Sequence, residues 1–242
     1  MSRVVAVIQA RTGSTRLPRK VLRDLGGQTV LEWVVRAARD SGVCDDVVVA
    51  TTFERDDDEV AGLAVSLGAG ALRGPVDDVL SRYILAADAT NADMIVRLTA
   101  DCPLLDPAII AACVRMFDPA HLDYVTTDHE HSIANGFDVE VVGADVLRKL
   151  DGVARTHDRA HVTSYISAHP GDFRIATVGF EPRSTDLRVT LDEPSDAALL
   201  DAIVAELGPR ARDYRRVVHL LRSRPDFVAL NAGVRAKPLR AG

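Results

Sequence analysis

Between Gln9 and Lys20 the chain reads Gln-Ala-Arg-Thr-Gly-Ser-Thr-Arg-Leu-Pro-Arg-Lys, which puts four cations, a glycine and three hydroxyls into one short loop. These residue types together serve phosphate. Glycine lets backbone N–H groups come close to an anion, hydroxyls donate to its oxygens, and Arg11, Arg16, Arg19 and Lys20 supply charge-assisted hydrogen bonds. The spacing is neither G-x-x-x-x-G-K-[ST] nor G-x-G-x-x-G, so an ordinary P-loop and a dinucleotide fingerprint are both excluded by inspection. A solvated basic surface loop is the plain alternative, and so dense a cationic cluster in a net-acidic chain weighs against it.

Carboxylates form the second set. Asp101 follows the apolar run Met94-Ile95-Val96-Arg97-Leu98, and a carboxylate just past the end of a strand can hold Mg2+ against a triphosphate, because magnesium takes oxygen ligands and keeps one or two protein carboxylates beside phosphates and waters. Asp192 likewise follows Leu187-Arg188-Val189-Thr190-Leu191, read as a strand, with Asp196 serving the first turn of the next helix. In Asn135-Gly136-Phe137-Asp138-Val139-Glu140 the two acids alternate, which places both on one side of a strand where they could receive sugar hydroxyls. His157, Arg159 and His161 lie around a helix start. Asp77 and Asp78 follow Arg73-Gly74-Pro75, where charge at a helix N-terminus is an equal explanation.

These groups need a frame that brings strand ends together. Val4 to Ile8 is a continuous β-branched apolar run, the pattern of a strand covered on both faces. Thr29 and Glu32 have capping-box spacing before Val30, Val34, Ala37 and Ala38, which recur at helical intervals. Val47–Ala50 is a second strand, followed by a helix that opens at Asp56-Asp57-Asp58-Glu59 and closes at Gly68. Residues 78–89 read as a helix, Met94–Leu98 as a strand, and Asp106-Pro107 as an N-cap with proline at the first helical position. After about residue 120 the alternation loosens: strands at 123–127, 137–142, 173–178 and 187–191, and helices at 144–150, 158–168, from a cap at Ser195 to Leu207, and 214–222. The expected fold is α/β: a single, Rossmann-like domain with a mostly parallel central sheet flanked by helices. Residues 1–120 would form its nucleotide half, and 121–242 a less regular acceptor half that could also serve dimerisation.

The run Ile8-Gln9-Ala10-Arg11-Thr12-Gly13-Ser14-Thr15-Arg16-Leu17-Pro18-Arg19-Lys20-Val21-Leu22 resembles the signature of the cytidylyltransferase family. The branch it resembles is the spore coat polysaccharide biosynthesis protein F type, related to acylneuraminate and 3-deoxy-manno-octulosonate cytidylyltransferases. The resemblance implies that Ala10, Arg11, Gly13, Ser14, Arg16 and Lys20 surround the nucleotide, with Asp77 near its base. Asp101-Cys102-Pro103-Leu104 resembles the family's aspartate-x-Pro-Leu metal motif and Asp192 its second metal motif, so that both would bind Mg2+. Arg11, Lys20, Asp101 and Asp192 are then the catalytic set. Asp138 and Glu140, with Arg159 and His161, would meet an anionic sugar acceptor. Arg19 departs from the pattern, since many members carry glycine there.

The chemistry so implied is transfer of CMP from CTP to a sugar or sugar acid with release of pyrophosphate, in surface polysaccharide or glycoconjugate precursor synthesis. Transfer of this kind is mostly positioning and charge neutralisation, which suits a site of cations and metal ligands without a covalent nucleophile. A sugar-phosphate nucleotidyltransferase using UTP or GTP and a non-catalytic nucleotide-binding scaffold are the alternatives. The 242 residues carry a net charge of −6 with no basic tail, which speaks against a nucleic-acid partner. No apolar stretch approaches the roughly 20 residues of a membrane helix, and no signal peptide opens the chain, so a cytoplasmic protein is expected. Cys44, Cys102 and Cys113 lack metal-ligand spacing and read as buried structural thiols. Homodimers are common in the family that the loop resembles.

Overall fold

The computed structural model describes residues 2–127 and 132–234. Its centre is a seven-stranded sheet. In chain order the strands are β1 (Val4–Gln9), β2 (Asp24–Leu25), β3 (Gln28–Thr29), β4 (Asp46–Thr52), β5 (Gly70–Gly74), β6 (Met94–Thr99), β7 (Tyr124–Thr126), β8 (Glu140–Gly143) and β9 (Ile175–Thr177). The spatial order is β5-β4-β1-β6-β8-β7-β9, while β2 and β3 form a small separate hairpin. Within the seven-stranded sheet β8 runs antiparallel to β6 and β7 and the other pairings are parallel, as a chain alternating strand and helix dictates.

Alternation along β1 shows why its whole run is apolar. Val4, Ala6 and Ile8 enter one buried cluster and Val5 and Val7 the other, so both faces of the strand are covered. The first face carries α1 (Val30–Asp40), α2 (Asp58–Ser66), α4 (Pro107–Met116), α8 (Pro194–Leu207), α9 (Tyr214–Ser223) and α10 (Pro225–Ala229). The second carries α3 (Val79–Thr90), α5 (Ala144–Val153) and α7 (Ser164–Ala168), with α6 (Thr156–His161) lying beside α3. Each fully buried aliphatic side chain in these layers contributes about 1.5–3 kcal/mol of transfer free energy.

Local signals are realised at most helix starts. Thr29 Oγ1 accepts from the Glu32 N–H, Asp78 from the Ser81 N–H, and Asp106 from the Ala108 N–H ahead of Pro107. Four expectations change. The helix expected over 158–168 is two short helices, because Val162 takes φ 56 and breaks the ladder. α8 is capped by Glu193, whose side chain and that of Asp196 form a reciprocal box, with Pro194 rather than Ser195 after it. The strand expected over 137–142 shortens to β8, so Asp138 precedes the ladder instead of sharing a strand face with Glu140.

The fourth concerns residues 187–191, which form no strand. A single bridge joins Arg188 to Asn135, and the Leu191 N–H donates to the Asp101 carbonyl at 2.8 Å, so the segment lies across the end of β6. Gly136 permits this crossing: it has φ +111, and a Cβ there would meet the Thr190 nitrogen at 2.7 Å. Strand β5, in which Gly70 and Gly74 bracket three residues, and the β2–β3 hairpin were too short and too weakly patterned to be read from the sequence. Cys102 and Cys113 are buried and Cys44 half-buried, all as free thiols.

Candidate active site

The loop after β1 is held in shape by one buried carboxylate. Asp57, 2% exposed, accepts from both the Thr12 N–H and the Thr12 hydroxyl at 2.7 Å, and from the Thr52 hydroxyl. Burial opposes the charge, yet these donors hold the Asp57 carboxyl below its ordinary range. The Thr12 carbonyl in turn accepts from the Ser14 N–H at 2.8 Å and the Arg19 N–H at 2.9 Å, which folds the loop back on itself. Arg19 closes that return at φ 58, a left-handed conformation that glycine adopts without strain. Its guanidinium faces outward to Glu59 at 2.5 Å.

A cavity of about 500 Å3 opens beside the loop at the C-terminal ends of β1 and β6. Of the residues singled out in the sequence, Ala10, Arg11, Gly13, Ser14, Arg16, Lys20, Asp77, Asp101 and His161 line it. Lys20 is the hub. Its Nζ donates to Asp101 Oδ2 at 2.9 Å, Asp192 Oδ1 at 2.7 Å and the Leu191 carbonyl at 2.7 Å. Arg16 adds contacts to Asp192 at 3.2 Å and Glu193 at 3.1 Å. Two carboxylates distant in sequence thus meet at one ammonium group.

Desolvation works against charge on Lys20, and the two aspartates override it, so its pKa is raised. Burial also opposes ionisation of Asp192, but Lys20, Arg188 and Arg16 bring its carboxyl down from 3.8 to about 2. A group whose pKa is depressed by folding adds stability above its unfolded value, and that stability is lost as pH falls through the folded value. Wild-type protein is therefore expected to lose about 2 kcal/mol more than Asp192→Asn between pH 4 and pH 2. Urea melts of both proteins across that window measure it; parallel curves would show that Asp192 is not so coupled.

Asp101 and Asp192 offer hard oxygen donors already gathered around a cation, the donor set Mg2+ takes when phosphates and water complete its shell. Among the described residues no cluster of three or more acidic, histidine or cysteine side chains forms a self-sufficient metal cage.

The expected acceptor residues divide. His161 lines the cavity, stacks near His157 at 4.5 Å between ring centroids, and is pushed towards its neutral form first by burial and then by His157 and Arg97. Glu140 is engaged by Arg97 at 2.9 Å and by the Thr163 hydroxyl at 2.7 Å. Asp138 accepts from the Gly136 N–H at 3.0 Å. Arg159 is turned to Asp78 at 2.7 Å and Asp151 at 2.9 Å, joining α6 to α3 and the end of α5. It is not among the residues that line the cavity, and its contact with an acceptor stays an expectation. Three arginines went unnoticed in the sequence: Arg82 and Arg97, which line the cavity, and Arg188, which holds Asp192 at 2.6 Å. Their signal was a cation inside an otherwise apolar helix or strand pattern.

The sequence pattern described as cytidylyltransferase matches residues 5–215. The spore coat polysaccharide biosynthesis protein SpsF of Bacillus subtilis is 30% identical over 237 residues, 93% of this chain and 97% of that one. A 3-deoxy-manno-octulosonate cytidylyltransferase of Acidobacterium capsulatum is 39% identical over 164 residues, 66% of this chain and 63% of that one. Among solved structures, a cytidylyltransferase from Leptospira borgpetersenii superposes with a TM-score of 0.91 at 29% identity, covering 98% of this chain and all of the other.

Proposed function

The chain belongs to the cytidylyltransferase family and is a nucleotidyltransferase, and from that premise we propose that it moves CMP from CTP onto a sugar acid, with Mg2+ bound and pyrophosphate leaving. The observation that carries this reading is Lys20 held between Asp101 and Asp192 at the edge of a cavity walled by Arg11 and Arg16. Cations and metal-type carboxylates meet there at the C-terminal ends of parallel strands, where open α/β sheets bind ligands. The related 3-deoxy-manno-octulosonate enzyme supports a sugar acid as acceptor.

In this mechanism Arg11, Arg16 and Lys20 orient the triphosphate and offset charge on the departing pyrophosphate, while the Gly13–Ser14 stretch lets backbone N–H groups approach its oxygens. Asp101 and Asp192 would hold Mg2+, which when bound would neutralise charge on the α-phosphate and acidify the attacking hydroxyl. The acceptor hydroxyl attacks the α-phosphorus in line with the leaving pyrophosphate, and His161, neutral and at the rim, faces the acceptor. Asp77 belongs with the nucleoside end. Asp138 and Glu140 act from behind: Glu140 holds Arg97 at the cavity wall, and Asp138 shapes the turn at Gly136. The same reading treats residues 1–242 as one domain, working as a cytoplasmic homodimer in surface polysaccharide precursor synthesis. Among the described residues no helix is long and apolar enough to cross a membrane.

Thermal unfolding with CTP, UTP, ATP and GTP, each with and without Mg2+, tests the nucleotide. CTP with Mg2+ is expected to stabilise selectively, by about 2.7 kcal/mol at a hundredfold excess over Kd. Preference for UTP or GTP would move the reading to a sugar-phosphate nucleotidyltransferase, and no response to any of the four would overturn it.

A further inference from the structure

Arg82 is a buried cation that closes no ion pair among the described residues. It projects from the first turn of α3, is 3% exposed, and lines the cavity. Among the described residues its guanidinium makes one hydrogen bond, from Nη1 to the Ala50 carbonyl at 3.2 Å, no ion pair, and leaves Nε without an acceptor. Arg97 on the same cavity wall also has an unmet Nε but differs in its ion pair, because Glu140 and Gln9 receive its other nitrogens. Space for Arg82 is reserved by Gly74, where a Cβ would meet its Cγ at 2.6 Å. Burying an unpaired charge costs several kcal/mol unless something arrives to compensate it. Arg11, facing the same cavity and also without an ion pair among the described residues, adds repulsion, and Asp57 and Asp78 attract the Arg82 cation without closing an ion pair with it among the described residues.

Position says what arrives. Lys20, Asp101, Asp192 and Arg16 mark the phosphate end, past the tip of β6. Arg82 sits at Ala50 on β4, with β1 between β4 and β6, so the two places are two strand spacings apart, about 10 Å. A nucleotide whose phosphates occupy the first place reaches the second with its base. Val76 and Val79 line the cavity there, which suits a flat, partly apolar ring.

We infer that Arg82 is a specificity-determining residue that donates to the O2 and N3 acceptors of a cytosine base. Cytosine presents those two acceptors side by side, matching a planar fork of N–H donors, whereas uracil presents an N3–H donor that would oppose it. The inference rests on the reading that the cavity takes CTP.

Binding of CTP, UTP and inorganic tripolyphosphate, each with Mg2+, to wild type, Arg82→Met and Arg82→Lys tests it. Arg82→Met is expected to weaken CTP by about ten- to a hundredfold, to leave tripolyphosphate unchanged, and to collapse the preference over UTP, with no fall in ligand-free Tm. Arg82→Lys, which keeps charge but loses the fork, is expected to behave as the Met variant does. Equal weakening of tripolyphosphate would make Arg82 a phosphate contact and overturn the inference. So would full rescue by Lys, or a lower Tm with the CTP preference retained. If wild type itself shows no preference for CTP, the reading of the cavity fails; if it shows one that Arg82→Met leaves intact, only the role of Arg82 fails.

Discussion

Asp101→Asn is expected to lower CMP transfer by about two to three orders of magnitude while leaving the folded protein intact. The substitution keeps the shape of the side chain and removes the charge that, in the proposed mechanism, would attract a divalent cation together with Asp192. Backbone contacts at this residue do not depend on that charge: the Asp101 carbonyl accepts from the Leu191 N–H at 2.8 Å and the Thr190 hydroxyl at 3.1 Å in either case. Its side chain is 30% exposed and, among the described residues, meets one ammonium and the Cys102 thiol at 3.8 Å, so the stability lost falls within the ~1 kcal/mol typical of such pairs. Initial rates of pyrophosphate release at increasing Mg2+, beside thermal melts, separate the two effects. A variant that turns over at the wild-type rate with an unchanged Mg2+ requirement would remove Asp101 from the metal site. A variant that is inactive because it no longer melts cooperatively would show a structural residue instead.

The largest loss of stability is expected from Asp196→Ala, about 3–5 kcal/mol. Asp196 is fully buried and accepts from Arg188 Nε at 3.1 Å and Nη2 at 3.2 Å, from the backbone N–H of Asp192 at 2.9 Å and of Glu193 at 3.0 Å, and from Asn231 Nδ2 at 2.9 Å. Burial opposes its charge and Arg188 and Asn231 outweigh that, keeping the carboxyl below its ordinary range. Alanine would leave two helix N-terminal N–H groups without acceptors and Arg188 with Asp192 alone, an incompletely compensated buried charge. Urea unfolding reads the cost as a lower midpoint at constant slope. The pair Arg188→Met with Asp196→Leu removes both charges and is expected to recover part of the loss, though not activity, because Asp192 then loses the 2.6 Å contact that orients it. A loss below about 1 kcal/mol for Asp196→Ala would mean that the network carries little of the fold.

These two outcomes divide along what could be seen in the chain. Asp101 was legible because Met94–Leu98 is a run long and apolar enough to name its own strand, and the residue past its end follows from the count. The basic loop was legible because cations, glycine and hydroxyls are concentrated within a few residues. Asp192 was singled out for a partly wrong reason: Leu187–Leu191 alternates like a strand, yet it lies across the sheet's end, held by Asn135 and by the carbonyl of Asp101. Alternation reports which side chains are buried, and a segment crossing a strand tip buries them in the same rhythm as a strand within the sheet. Arg159 shows what a local pattern leaves out, since a cation beside two histidines suggested an anionic ligand, and the fold pairs it with Asp151 nearby and with Asp78, remote in sequence.

By itself the sequence determined β1, α1, β4, α2, α3, β6 and α4 in their order, the caps of α1 and α4, and the presence of a loop dense in cations, glycine and hydroxyls, because each of these is a local pattern of residue types and spacing. Tertiary structure alone decided that Lys20 meets Asp101 and Asp192, that Asp57 braces the loop through Thr12, and that Arg82 is left in the cavity wall with its Nε unmet. Partnership between charges separated by scores of residues depends on which strand ends adjoin and which carboxylate reaches a cation first. Those are properties of the packed sheet, and no local pattern encodes them.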